Sequence, residues 1–214
     1  MALITGIDEA GRGPVLGPLV ICIAYCNRSD ERQLKKLCKK DSKQLTAAKR
    51  AETYAALKGF CHFKTIEISA AEIDQRRANG ESLNDIEAKG MAGLIKHLPS
   101  NQSADIMIDL PDRYEWIFRK RMEKFGVKKF EAQHKADENY PIVAAASIAA
   151  KLRRDAIIEE IKSKTGVDFG SGYPSDPKTR AVLLDKISLS KLRGHVRTSW
   201  ETMETIKQRK LFED

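Results

Sequence analysis

The chain opens with an apolar segment that ends abruptly in two adjacent carboxylates. Residues Leu3 to Ile7 are rich in branched side chains, which predicts a short buried strand, and Asp8 and Glu9 follow directly. Because neighbouring strand residues point to opposite faces, one of the two acids faces inward or lies at a bend. Burying an ionised carboxylate is costly unless it is paired or coordinates a metal. The segment therefore predicts either an acidic site at a strand end or a strand with solvated acids.

The loop after these acids is built from Gly11, Arg12 and Gly13, with Pro14 next in the chain. Glycines let the backbone approach a ligand closely, and Arg12 places a positive charge in the same loop. An acid at a strand end followed by an amide-rich, cationic loop suits a metal ion with a bound phosphate. A tight glycine turn without a ligand is the alternative.

Composition narrows the class of protein without naming a ligand. A chain of 214 residues can build one sizeable core, and a net charge of +8 favours a polyanionic partner or serves solubility alone. The four cysteines form no CxxC pair, which is typical of reduced thiols in a cytosolic protein. No apolar stretch approaches the ~18 residues of a membrane span, and no basic leader precedes Asp8. We therefore expect a cytoplasmic protein without a membrane anchor.

Hydrophobic patterning along the chain predicts a mixed α/β fold. Apolar strands are expected at residues 19–25, which are close enough to the first strand to pair with it antiparallel, and at 62–69, 104–109 and 130–134. Helices are expected after Thr46, after Ser82, over residues 113–125, from Pro141, after Asp176 and from Thr198. In the helix over 113–125, Trp116, Ile117 and Met122 are available for the core. A run of lysines, with Asp41 and Ser42 among them, is either a solvated face or an edge that contacts phosphates; its members are Lys35, Lys36, Lys39, Lys40 and Lys43.

Acidic side chains recur where the predicted elements end. They are Asp8, Glu9, Asp109 and Asp137. Converging carboxylates repel one another unless cations lie between them, and hard divalent ions prefer oxygen ligands. Two such ions roughly 3.5–4 Å apart can clamp the attacking and leaving oxygens of a phosphodiester. His134 is the one histidine near these acids in the sequence, which argues against zinc.

Two other classes of protein explain the sequence less well. A dinucleotide-binding loop needs Gly-x-Gly-x-x-Gly, but Leu16 stands at the sixth position counted from Gly11. A non-catalytic nucleic-acid-binding module explains the positive charge, yet not four acids placed where they oppose phosphate binding. Metal-dependent turnover distinguishes such a module from a nuclease.

Several motifs resemble the type 2 ribonucleases H, the ribonuclease HII family, and occur in that family's order. They are the segments 8–14 (DEAGRGP), 41–43 (DSK), 135–137 (KAD), 143–147 (VAAAS) with Lys151, and 170–173 (GSGY). The resemblance runs from about residue 3 to 200, and the variants at 174–177 and 196–200 are similar to the archaeal branch. It implies a ribonuclease H-like fold, in which helices flank a central mixed sheet, with a C-terminal helical portion. We expect a catalytic domain over residues 1–197 and a C-terminal helix and tail over 198–214.

The resemblance also implies roles for particular residues. Asp8, Glu9, Asp109 and Asp137 would be the catalytic acids and would bind Mg²⁺ or Mn²⁺, with Asp112 as a substitute for Asp109. Other residues would bind nucleic acid, namely Gly11, Arg12, Gly13, Ser42, Lys43, Lys151 and Tyr173. Among these, the glycine loop would hold the ribonucleotide through its 2′-hydroxyl. Tyr173 would stack on the sugar at the RNA–DNA junction, unless it folds back on the core as a loop anchor.

The implied activity is hydrolysis of the RNA strand of RNA–DNA hybrids and incision on the 5′ side of single ribonucleotides in duplex DNA. A two-metal mechanism would leave 3′-hydroxyl and 5′-phosphate ends. The expected state is a monomer. The tail 208–212 (QRKLF) faintly resembles a motif that binds sliding clamps, but it lacks the final aromatic pair.

Overall fold

The structure is a computed structural model that describes residues 2–38, 45–100 and 103–206. Its strands are β1 (Leu3–Ala10), β2 (Leu19–Asn27), β3 (His62–Ile68), β4 (Ala104–Asp109) and β5 (Glu131–Gln133). Its helices are α1 (Glu31–Leu37), α2 (Ala47–Leu57), α3 (Ala70–Ala78), α4 (Leu83–Ile95), α5 (Glu115–Lys124), α6 (Ala136–Asn139), α7 (Pro141–Thr165), α8 (Pro177–Leu184) and α9 (Lys186–Lys191). Residues 201–206 are also helical. None of the described helices is both long and apolar enough to cross a membrane.

The strands form one mixed sheet in the order β3-β2-β1-β4-β5. β1 pairs with β2 antiparallel, as predicted, and pairs with β4 in parallel. β4 in turn pairs in parallel with β5. β1 and β2 are buried along nearly their whole length, as expected for strands whose two faces are both covered. The predicted mixed α/β sheet is confirmed.

The parallel register brings the ends of three strands to one edge of the sheet. Ile7 lies opposite Ile108, so Asp8 and Asp109 are the next residues along their strands. Asp109 is in turn paired with Gln133, the last residue of β5. The carboxyl ends of β4 and β5 therefore lie level with Asp8, which precedes the end of β1 by two residues. This edge is where α/β sheets commonly bind ligands.

Helix α7 begins directly against β1, because a glycine leaves room for it. A Cβ atom placed on Gly6 would lie 2.5 Å from the amide nitrogen of Val143 and would overlap the carbonyl of Ile142. The residues that follow on α7 are small and buried, from Ala144 to Ser147. The expectation that this alanine-rich helix lies very close to the sheet is confirmed.

The chain divides into two compact units. The first comprises Met1–Ala10, Val20–Ile66 and Asn84–Arg153, and it holds most of the sheet. The second comprises Gly11–Leu19, Glu67–Leu83 and Arg154–Asp214. It has an apolar core of its own, which includes Leu16, Phe169, Leu183, Leu192 and Val196. The division into residues 1–197 and 198–214 stays a prediction.

Local capping signals in the sequence are confirmed where they are strongest. The side chain of Thr46 accepts a hydrogen bond from the amide of Lys49, and that of Asp176 accepts one from Lys178. Helices α3 and α9 were not predicted, although Ser69 and Asp185 cap them in the same way. Both helices are short and polar, so hydrophobic periodicity does not reveal them.

Of the side chains of α5 expected to be available for the core, Met122 is buried as predicted, whereas the expectation for Trp116 is wrong. Phe118 and Met122 of α5 are fully buried, whereas Trp116 is 59% exposed. At 3.6 residues per turn, Trp116 lies roughly 200° around the helix from Phe118. The apolar face of α5 is therefore set by the pair Phe118 and Met122, and the tryptophan lies on the opposite side.

Replacing Gly6 tests the close approach of α7. We expect Gly6→Ala to lower the free energy of unfolding by about 3 kcal/mol, because the added methyl group meets backbone that cannot move aside easily. Gly93→Ala is the matched control, since its Cβ would lie 3.7 Å from the Cδ1 atom of Ile66. In α4 that change should be neutral or stabilising by up to about 1 kcal/mol. Urea unfolding of both variants makes the comparison, and equal stabilities would contradict the close approach.

Candidate active site

Two carboxylates lie side by side at the sheet edge of the first unit. Asp8 is buried, and its Oδ1 atom accepts a hydrogen bond from the backbone N–H of Glu9 at 2.7 Å. Asp109 is half-buried, and its Oδ1 atom accepts a hydrogen bond from the backbone N–H of Ala136 at 2.8 Å. The strand ends therefore hold both side chains in fixed positions, each through a backbone amide.

The electrostatics of this pair oppose ionisation of both groups. Burial raises the pKa of Asp8 from 3.8 to about 7, and the charge of Asp109 adds to that effect. Hydrogen bonds from Ser147 and from the Glu9 amide act in the opposite direction, as does the charge of Lys151. A divalent cation between the two carboxylates would remove the repulsion, and their oxygens are the donors that hard cations prefer.

Helix α7 supplies the polar side chains that face Asp8. Ser147 is fully buried, and its Oγ atom accepts a hydrogen bond from the Nζ atom of Lys151 at 2.8 Å. Because an ammonium group can only donate, the hydroxyl proton of Ser147 is directed to the carboxylate of Asp8. Lys151 thus acts on Asp8 both through its charge and through Ser147. Its predicted contact with nucleic acid stays a prediction.

Glu9 and Asp137 flank the pair in the chain. Glu9 is the neighbour of Asp8 in β1, so its side chain leaves the opposite face of the sheet. Asp137 is buried in the first turn of α6, whose N-cap residue Lys135 adopts a left-handed conformation with φ 57°. Across residues 2–38, 45–100 and 103–206, no group of three or more His, Cys, Asp or Glu side chains is gathered tightly enough to hold a metal. The chemistry of Asp8 and Asp109 fits a divalent cation, and all four ligand assignments stay predictions.

Asp112 has a structural role that sets it apart from Asp109. Its carboxylate is buried and accepts hydrogen bonds from the Nε atom of Arg121, at 3.1 Å, and from the amide of Asn84. Arg121 also pairs with Asp85. This network fastens α5 to the start of α4. These hydrogen bonds therefore engage the carboxylate of Asp112, which the sequence leaves open as a substitute for Asp109.

The glycine loop belongs to the second unit, and its conformation requires glycine. Gly11 has φ +91°, and a Cβ atom there would lie 2.6 Å from the Nε atom of Arg154 and would overlap the carbonyl oxygen of Pro18. Any other residue at this position would be strained and would displace its neighbours. The backbone of the loop is therefore packed closely on its inner side.

Arg197 holds this loop, and the sequence reasoning missed its role. Its guanidinium is fully buried and donates to three carbonyl oxygens, those of Gly11 at 2.6 Å, Arg12 at 3.0 Å and Gly17 at 3.1 Å. The indole N–H of Trp200 donates to the carbonyl of Gly13 at 3.3 Å. The sequence signal is the match at 196–200, which by itself indicates only a similarity to the archaeal branch.

The segment that carries Arg197 is anchored by one carboxylate. Asp74 of α3 accepts hydrogen bonds from the backbone amides and the hydroxyls of both Thr198 and Ser199, at 2.6 to 3.1 Å. The predicted helix from Thr198 begins later, since residues 201–206 are the helical ones. Thr198 and Ser199 are thus used to fix the loop after Arg197.

Tyr173 presents its ring at the surface of the second unit. The side chain is 40% exposed, and the guanidinium of Arg154 lies 5.4 Å from the ring centroid. Arg154 is itself buried and donates to the carbonyl of Ser171 at 3.0 Å. The nearest atom to a Cβ placed on Gly13 is the Cε1 atom of Tyr173, at 3.6 Å. The structure therefore brings together Gly13 and Tyr173, two of the residues predicted to bind nucleic acid.

Three predicted features lie outside the described residues. They are the pair Ser42 and Lys43, the lysines Lys39 and Lys40, and the tail 208–212.

The comparison with protein families decides the assignment. The model of the family described as Ribonuclease HII matches residues 5–203. The chain belongs to the ribonuclease HII family. Ribonuclease HII of Archaeoglobus fulgidus is 40% identical over 206 residues, covering 96% of this chain and 97% of that protein. Ribonuclease HII of Methanocaldococcus jannaschii is 41% identical over 229 residues, covering 98% and 99%.

Solved structures agree with this assignment. The ribonuclease H2 of Pyrococcus horikoshii has a TM-score of 0.84 and 36% identity, over 97% of this chain and 98% of that one. The ribonuclease HII of Archaeoglobus fulgidus, solved in a complex with PCNA, has a TM-score of 0.82 and 40% identity, over 93% and 95%. A Bst ribonuclease HIII in complex with Mn²⁺ has a TM-score of 0.82 over 97% of this chain and 70% of that one, at 18% identity, and supports the fold alone.

Membership of the ribonuclease HII family defines the general chemistry. The chain is a metal-dependent endoribonuclease, a hydrolase that cuts the RNA strand of RNA–DNA hybrids. The predicted ribonuclease H-like fold, the predicted enzyme class and the predicted nucleic-acid substrate are confirmed.

The pKa of Asp8 predicts how the stability of the metal-free protein depends on pH. Between about pH 4 and about pH 7, the folded chain keeps a proton on Asp8 that the unfolded chain has lost. The free energy of unfolding should therefore fall as pH rises through this window and should level off above about pH 7. Asp8→Asn should remove this contribution, whereas Asp105→Asn, an exposed change on β4, should keep it. Urea unfolding in a chelator measures both, and equal pH dependence in the wild type and Asp8→Asn would contradict the assignment.

Proposed function

We propose that this member of the ribonuclease HII family incises the 5′ side of a single ribonucleotide embedded in duplex DNA, using two divalent cations, Mg²⁺ or Mn²⁺. The products would carry a 3′-hydroxyl and a 5′-phosphate. The main support for bound cations is the pair Asp8 and Asp109, in which burial and mutual repulsion raise the pKa of Asp8. A site that disfavours two negative charges when empty gains most from binding positive charge.

Asp8 and Asp109 would hold the cations, and Glu9 and Asp137 would complete the ligand set. When bound, the cations stabilise negative charge on the attacking and leaving oxygens of the phosphodiester. The protein's own part is to fix the acids. Ser147 orients the carboxylate of Asp8, and Lys151 fixes the hydroxyl of Ser147.

The glycine loop and Tyr173 would read the sugar at the cut. The carbonyls of Gly11, Arg12 and Gly13 are bound by Arg197 and Trp200, which holds the backbone of the loop in one conformation. A rigid backbone can test a 2′-hydroxyl, the group that distinguishes RNA from DNA at one position. The exposed ring of Tyr173 would stack on the adjoining deoxyribose.

Substitution of single acids tests the metal assignment. Asp109→Asn should lower kcat by about 100-fold or more, because it removes a metal ligand. Asp112→Asn is the matched control, since its carboxylate pairs with Arg121; it should lower stability and leave kcat of the folded enzyme within a few-fold of the wild type. Turnover is measured on a hybrid duplex over a series of Mg²⁺ concentrations. A normal kcat for Asp109→Asn together with a strongly lowered kcat for Asp112→Asn would show that Asp112, and not Asp109, is the metal ligand.

Two substrates test the reading of the junction. Tyr173→Ala should lose about ten-fold more activity on a duplex with one ribonucleotide than on an all-RNA strand paired with DNA, as expected for loss of one stacking contact. Tyr173→Phe is the control that keeps the ring and removes the hydroxyl, and it should retain the preference. Equal losses on both substrates would show that Tyr173 does not read the junction.

A sliding clamp is the second partner that we propose. The ribonuclease HII of Archaeoglobus fulgidus was solved with PCNA, and this chain carries the faint motif at 208–212. Those residues lie outside the described part of the chain, and their role rests on sequence and on that relative. Co-elution of the chain with a clamp, lost when residues 207–214 are removed, would support the contact; unchanged co-elution would refute it.

A further inference from the structure

Two large aromatic side chains are exposed where α5 begins. Tyr114 is 47% exposed and Trp116 is 59% exposed. Their rings are stacked, with centroids 6.5 Å apart and an interplanar angle of 19°. Large aromatic groups at a surface are typical of binding sites, because leaving them in water forgoes the free energy of burial.

A cationic side chain lies over each of the two rings. The guanidinium of Arg113 lies 5.2 Å from the ring centroid of Tyr114, and the ammonium of Lys120 lies 5.0 Å from that of Trp116. Among the described residues, neither Arg113 nor Lys120 forms an ion pair with a carboxylate. The nearby acid Glu115 is paired instead with Arg119. We call Arg113, Tyr114, Trp116 and Lys120 the α5 surface.

The α5 surface lies within the first unit, a short distance from the acid pair. Tyr114 follows Asp109 by five residues, so the two Cα atoms are at most about 18 Å apart. The loop between them is also fastened at its far end, since the ring of His134 is 3.3 Å from the carbonyl oxygen of Arg113. His134 follows Gln133, which is paired with Asp109. The α5 surface is therefore held near the strand ends.

The size of the substrate makes this distance relevant. One turn of a nucleic-acid duplex extends about 34 Å, so a duplex cut at the acid pair reaches well beyond the scissile nucleotide. Lysine and arginine bind the phosphates of such a duplex, and tyrosine is a common contact to phosphate and sugar. A predominantly apolar protein partner would instead have to desolvate Arg113 and Lys120 without pairing their charges. The chemistry of the α5 surface favours nucleic acid.

We propose that the α5 surface is a second nucleic-acid contact, which binds the RNA–DNA hybrid outside the nucleotide at which it is cut. Arg113 and Lys120 bind backbone phosphates, and Tyr114 and Trp116 pack against the sugars between them. The α5 surface adds affinity and takes no part in the chemical step. It depends on the established hybrid substrate and not on the two-metal assignment.

Equilibrium binding in a chelator tests this contact without cleavage. The double variant Arg113→Ala/Lys120→Ala should reduce the slope of log K against log salt by about two, because two phosphate contacts are lost. Tyr114→Ala/Trp116→Ala should raise Kd by about ten-fold at constant slope, as expected for lost aromatic contacts. The matched controls are Lys58→Ala/Lys64→Ala, which removes two exposed charges elsewhere on the first unit, and Leu184→Ala/Ile187→Ala, which removes exposed apolar groups.

Fluorescence provides a direct readout, because Trp116 is one of only two tryptophans in the chain. Addition of hybrid should quench the emission of the wild type, and Trp116→Phe should lose most of that change while keeping its fold by circular dichroism. The proposal is overturned if the α5 variants match their controls in Kd and salt slope. It is also overturned if they change only self-association, which would make the surface an interface between copies of the chain. Since no metal is present, failure of the two-metal assignment would not affect either result.

Discussion

The parallel pairing of β1 with β4 is the constraint on which the acid site depends. It places Asp8 and Asp109 at the same level of adjacent strands, where two negative charges cannot separate. The backbone amides of Glu9 and Ala136 hold one oxygen of each carboxylate, so neither side chain can turn away without losing a hydrogen bond. The repulsion is thus built into the register of the sheet. It is expressed in the raised pKa of Asp8, and a divalent cation is the natural way to relieve it.

The close approach of α7 makes that arrangement more rigid. Gly6 lies two residues before Asp8, on the same face of β1, and its missing side chain lets the helix backbone rest on the strand. Ser147 is carried to Asp8 by the same packing, and Lys151 is one helical turn further along. A bulkier residue at position 6 would lift the helix and the two polar groups together. One glycine therefore permits both the close packing of α7 on the strand and the placement of the polar groups that face Asp8.

Much of this could be predicted from local sequence, and the remainder depends on contacts between distant residues. Strand β1, the caps of α2 and α8, and the acids at strand ends follow from short patterns. The choice between Asp109 and Asp112 does not, because it depends on where Arg121 of α5 reaches. The exposure of Trp116 was missed because composition does not show which face of α5 is buried. Because a large aromatic side chain is exposed where burial was expected, Trp116 indicates a binding surface.

Arg197 shows how the second unit fixes a loop that has almost no side chains. A loop of glycines loses much conformational entropy when it is ordered, so something must bind its backbone. The guanidinium reaches three carbonyl groups at once because its donors are spread over three nitrogens in one plane, whereas the donors of a lysine all leave a single nitrogen. Burying a positive charge is costly, and those three carbonyls together with the face of Trp200, 4.7 Å away, help to offset that cost. The loop is therefore ordered before a substrate arrives, so substrate binding does not include the entropic cost of ordering the loop.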